Sequence, residues 1–219
     1  LVSVVITLVI NLNYCILANT YYVSNSIGND DYDGLSIEHP FKSIEKINSL
    51  YFYPGDTILL KSGDSWEGML WIKGSGADQN PIILDSYGGD LRPVINGNGY
   101  QACILIYNDE NININNLELF NEGSHLDSLG NVKKLTGFGG ASNSWGSGKD
   151  VRFGIKIIAD NQSLFNYKLD ELYIHDIYPT PENINNIHKG YGIKLETKSD
   201  TLINLYNTIS NFEISNSYI

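Results

Sequence analysis

Tyr173, His175 and Asp176 fall within four residues of one another in Glu171-Leu172-Tyr173-Ile174-His175-Asp176, where apolar and polar residues alternate as in a strand. Tyr, His and Lys are bases able to take a proton from the carbon beside a carboxylate, while a cation or amide holds the charge that develops. Lys156 and Lys194 occupy equivalent places in Gly154-Ile155-Lys156-Ile157 and Gly192-Ile193-Lys194-Leu195. On neighbouring parallel strands their backbones would lie about 4.8 Å apart. Like charges at that spacing need relief, from a ligand anion or from Glu196. Arg152 opens the strand of Lys156, and His188, Lys189 and Tyr191 precede Lys194. One groove would then use His175, Tyr173, Lys194 and Lys156 for catalysis. Arg152, His188 and Lys189 would hold substrate, with Trp145 as a stacking ring for sugar. The same residues also fit a solvated polar surface beside a corner, because no motif of fixed spacing joins them.

Charge narrows the substrate. The chain of 219 residues has a formal net charge of −11, which disfavours a nucleic-acid binder. Its positive charge sits late: residues 130–200 hold 9 Lys and Arg against 8 Asp and Glu, so a contact with an acidic polymer is expected there. Two Cys exclude a disulfide scaffold and a Cys-based zinc site, and Cys103 reads as a small packed residue. The turn Asn29-Asp30-Asp31-Tyr32-Asp33-Gly34 resembles a calcium loop but has Pro40 where the bidentate Glu belongs. It is read as a polar turn, with no metal site assigned and Ca2+ left as the one open cofactor.

The elements that must position these groups are strands. There are 28 Ile and 26 Asn, a pairing that favours short strands joined by tight, left-handed corners. A single short amphipathic helix is predicted over 40–50, from Phe41, Ile44, Ile47 and Leu50 with Pro40 at its start. Strands are predicted at 57–60, 69–72, 81–84 and 93–95. Beyond 100 the segments repeat: 103–106, 154–157 and 192–195 align, each followed by a second strand at 117–120, 172–175 and 212–215. Ile104/Ile106, Ile155/Ile157 and Ile193/Leu195 fall on one face, and stacked coils would bury that face against one another. This pattern argues for an all-β parallel β-helix, interrupted by excursions at 121–150 and 176–190.

The ends carry further expectations. Residues 1–18 are almost wholly apolar and read as a secretory signal peptide without its basic start, which predicts an exported chain, free of the membrane after cleavage. Residues 19–219 are then the N-terminal part of a single β-helix domain, C-terminally incomplete because Asn211-Phe212-Glu213-Ile214-Ser215 is a strand pattern with no closing cap. A monomer is expected.

The stretches 21–48, 54–88 and 92–99, from Tyr21-Tyr22-Val23-Ser24 through Arg92-Pro93-Val94-Ile95-Asn96-Gly97, resemble the N-terminal portion of secreted right-handed parallel β-helix proteins. These form the pectin-lyase-like group, which includes polysaccharide lyases of the chondroitinase B and alginate lyase type. The resemblance implies a right-handed solenoid whose short helix caps the open N-terminal end, and no catalytic motif of those lyases transfers onto this chain. It implies an exported carbohydrate-active protein cleaving an acidic polysaccharide by β-elimination. Two alternatives stand beside it: a non-catalytic glycan-binding or adhesin-type surface β-helix, and a glycoside hydrolase, for which Asp176 with Glu196 is the conceivable carboxylate pair.

Overall fold

Alternating isoleucines leave each short strand with one apolar edge that no single coil can bury, and stacking supplies the cover. The computed structural model describes residues 17–135, 147–179, 189–199 and 206–219. The candidate signal peptide, apart from Leu17 and Ala18, lies outside them. Nearly everything described is strand and corner, in three parallel sheets. The first holds β1 (Thr20–Val23), β2 (Thr57–Lys61), β5 (Ile82–Tyr87), β8 (Ile112–Asn115), β11 (Leu164–Asp170) and β14 (Ile209–Ser215). The second holds β4 (Leu70–Ile72), β7 (Ala102–Tyr107), β10 (Val151–Asp160) and β13 (Lys189–Lys198). The third holds β3 (Ser65–Glu67), β6 (Val94–Asn96), β9 (Glu118–Asn121) and β12 (Tyr173–Ile177). From β3 onward the chain visits the third, second and first sheets in unchanging rotation, which is consistent with a parallel β-helix.

The isoleucine stack forms as the repeats imply. Leu70, Ile104, Ile155 and Ile193 are register partners, as are Ile72, Ile106, Ile157 and Leu195. The first three of each row are fully buried, whereas Leu195 in the last coil is 38% exposed. Trp66, Ile95, Leu119 and Ile174 make the matching inward row of the third sheet.

Two features depart from the sequence reading. The helix α1 is only Ile44–Asn48, because Ser43 caps it by accepting from the Lys46 amide and Ser49 ends it. Each coil has three strands, not two: β8 and β11 do not show in the sequence because their outward Asn, Lys and Asp residues look like turns. In consequence Phe212 pairs with Tyr167 on the first sheet, and it is Tyr218 that stands beside Tyr173. The corners explain the Asn content. Asn111, Asn166 and Asn211 repeat at one corner with φ of 56°, 62° and 53°, a left-handed backbone that Asn tolerates. Asn166 donates to Asn111 Oδ1 at 2.7 Å, and Asn211 donates in turn to Asn166.

Candidate functional site

The predicted groove divides between two sheets. On the outside of the second sheet Lys156 and Lys194 are register partners, as the repeats require. Lys156 is not outward and free, however; it is 6% exposed. Its Nζ lies 3.2 Å from Glu196 Oε2, donates to Gln101 Oε1 at 3.1 Å and sits 5.0 Å over the Phe153 ring. Burial pulls its ammonium pKa down, against the opposing pull of Glu196. Phe153 belongs to a second apolar cluster with Met69, Ala102, Leu105 and Ile158, flanked by Tyr100 and by Leu135 of the long excursion.

Arg152 is likewise no substrate arm. It is 1% exposed and donates to the carbonyls of Gly148, Asn121 and Gly123 at 2.9, 3.0 and 2.7 Å. Its guanidinium ties the excursion to β10. Lys189 is exposed at the start of β13, its amide donating to the Asp150 carbonyl. Trp145 and His188 lie outside the described residues.

The third sheet presents a different surface. Glu118 of β9 is the register partner of Tyr173. His175 holds one carboxylate on each ring nitrogen, Asp176 Oδ2 at 2.8 Å from Nδ1 and Glu118 Oε1 at 3.2 Å from Nε2. Burial lowers the His175 pKa, but the hydrogen bonds to Asp176 and Glu118 outweigh it and the net shift is upward. The imidazole stacks on Tyr173 at 4.3 Å and on Phe120 at 5.6 Å, and Tyr173 packs on Tyr218 at 5.4 Å. Tyr178 donates to Glu122 Oε1 at 2.8 Å along the same side. Glu118 and Phe120 were legible in principle. The aligned segments 117–120 and 172–175 already placed Glu118 beside Tyr173 and Phe120 beside His175.

Asp176 owes its position to a bulge. The β9–β12 register slips between Ile174 and Ile177, and Asp176 takes φ of 47°. Bulges re-aim side chains in this way. Beyond the slip, Gly190 of β13 packs so tightly on β12 that a Cβ would meet the Ile177 carbonyl oxygen at 1.5 Å. Glu196, the other carboxylate of the conceivable hydrolase pair, is instead on the second sheet with Lys156 and Lys198. The calcium-loop resemblance ends in a structural turn. Asp30 accepts from the Lys42 and Ser43 amides and from Ser43 Oγ.

No family model matches the chain. A lacto-N-biosidase from Bifidobacterium longum subsp. longum is 30% identical over 205 residues, 79% of this chain and 13% of that protein. A crystal structure of the GH136 lacto-N-biosidase from Eubacterium ramulus superposes with a TM-score of 0.63 at 26% identity, over 90% of this chain and 34% of that one. The native crystal of the same enzyme gives a TM-score of 0.60 at 24% identity. The chain thus spans about an eighth of the curated relative and a third of the solved structure. These relatives are glycosidases, and they overturn the expectation of β-elimination. The geometry gives the physical reason. The cations meant to neutralise a uronate and its enolate, Arg152 and Lys156, are already committed to backbone carbonyls and to Glu196.

Proposed function

We propose that the protein containing this chain is a glycoside hydrolase of the lacto-N-biosidase type, acting on a neutral oligosaccharide. The observation that carries the reading is the likeness to lacto-N-biosidases, in sequence over 79% of the chain and in fold over 90%. The surface supports it. Glycosidases work through paired carboxyl groups, and the exposed face of the third sheet sets Glu118, Glu122 and Asp176 among aromatic rings. A polyanion would be repelled by that face; a neutral sugar would not. The same reading includes a right-handed winding, the hand that parallel crossovers adopt. It places α1 over the first coils, its buried Ile44 and Ile47 turned into the core, and takes the apolar stretch 1–18 as an export signal.

The test is release of a disaccharide. The purified protein is incubated with an oligosaccharide ending in lacto-N-biose, and products are read by mass spectrometry. Free lacto-N-biose is the expected product. An untouched oligosaccharide, or release of single sugars from its end, would overturn the reading.

A further inference from the structure

The long excursion opens with a tight hairpin. Leu126 and Val132 bridge antiparallel, and Asp127 accepts from the amides of Leu129 and Asn131 at the turn. Lys133 follows on the return leg, its amide donating to the His125 carbonyl. This brings the lysine to the corner after β6, where Asn98 holds a left-handed φ of 40°. Lys133 Nζ donates to Asn98 Oδ1 at 3.0 Å and to the Asn98 backbone carbonyl at 2.9 Å. The nitrogen of the same carboxamide, Nδ2, donates to Glu67 Oε2 at 2.7 Å. Gly123 backs the amide so closely that a Cβ would meet Oδ1 at 2.6 Å. An amine, an amide and a carboxylate thus meet from three separate segments, and reacting groups held about 3 Å apart are in near-attack range. Burial pulls the Lys133 ammonium pKa down; Arg152 adds to that pull, and Glu67 and Asp127 oppose it. A lysine that gives up its proton becomes a nucleophile.

We propose that Lys133 and Asn98 form a covalent modification site, joining in an isopeptide bond with Glu67 as the catalytic carboxylate. Nζ, as the free amine, adds its electron pair to Asn98 Cγ, and the C=O pair moves onto Oδ1. Glu67 takes the proton that Nζ gives up and passes one to Nδ2. The Cγ–Nδ2 bond breaks, Nδ2 leaves as ammonia, and the carbonyl re-forms. One amine and one primary amide become one secondary amide and ammonia, with nothing oxidised or reduced and no co-reactant. The competing fate of Asn98-Gly99 is a succinimide, formed by attack of the Gly99 nitrogen. That N–H is already donated to Asn121 Oδ1 at 3.2 Å, which leaves Nζ the better-placed nucleophile. The bond encloses β7, β8 and β9, one whole coil, and clamps the base of the excursion to the third sheet. It requires no glycan, so it stands apart from the hydrolysis proposed above.

The experiment reads the intact mass of the purified, folded protein and then maps the bond by digestion and tandem mass spectrometry. The expected mass is one ammonia, about 17 Da, below that summed from the sequence, with a branched peptide joining the segments of Lys133 and Asn98. Lys133→Arg and Asn98→Ala should each restore the full mass. Glu67→Gln, at an exposed position, keeps a partner for the Asn98 amide but cannot carry the proton, and should leave most chains at full mass. Full mass in the folded parent protein overturns the site, and that measurement is decisive even where a variant does not fold. A deficit that survives Lys133→Arg, or that maps to Asn98-Gly99 without a branch, marks a succinimide and overturns it equally. A Glu67→Gln protein that cross-links as fully as the parent removes Glu67 from the chemistry.

Discussion

The outer faces of the second and third sheets carry polar residues at matching places in the repeat, and the structure treats them in opposite ways. On the second sheet Arg152 is bound by carbonyls of the excursion, and Lys156 is held over the Phe153 ring and against Glu196. Their charges hold backbone and carboxylate in place. On the third sheet Tyr173, His175 and Asp176 meet solvent at the edge of a cleft. The difference teaches that a basic residue in a stacked coil is not a ligand contact merely by facing outward. What lies over it decides.

The comparison breaks most easily at Arg152. Arg152→Ala strands three carbonyls and should destabilise the fold by about 3 kcal/mol or more, measured by urea unfolding. His175→Ala, on the open face, should cost less than about 1 kcal/mol in the same assay. A smaller loss for Arg152→Ala than for His175→Ala would reverse the contrast.

Below that, Ile155→Ala removes a fully buried rung and should cost about 2–5 kcal/mol. At the Asn corner, Asn166→Ala loses both the ladder bond and a residue tolerant of φ 62°, for about 1–2 kcal/mol. Asn166→Gly should recover part of it, as thermal melts would reveal.

A finer contrast concerns charge. Lys156→Met together with Glu196→Gln replaces an ion pair whose lysine is buried by apolar and neutral groups, and stability is expected to stay within about 1 kcal/mol of the parent. Lys156→Met alone leaves Glu196 with Lys198 and should be the less stable of the two. The smallest effect is the pH dependence of His175. Its folded pKa is raised above 6.5, so its stabilising contribution is complete below that value and fades as pH rises through the raised one. The gap between the parent and His175→Gln should therefore be wider at pH 5.5 than at pH 8.5 in paired melts.

Much of the fold was legible in sequence. Ile104/Ile106 and Ile155/Ile157 announce the inward row because strand side chains alternate strictly and stacked coils repeat the same choice. The Lys156–Lys194 pairing and the Glu196 partner follow from the same register. The third strand of each coil did not show. In Ile112-Asn113-Ile114-Asn115 and in Asn166–Asp170 the outward Asn, Lys and Asp mimic a turn, and Asn serves both strands and corners here.

The candidate site was legible only in pieces. Local alternation in the sequence determines that Tyr173 and His175 share a face, and the coil repeats determine which residues stack. Two things needed the tertiary structure: the burial of Arg152 against the excursion's carbonyls and of Lys156 against Phe153 and Glu196, and the bulge at which Asp176 meets His175. The physical reason is range. Alternation and register are set by the backbone's own period, whereas cover, desolvation and a slipped register depend on segments that meet only once the coils have closed.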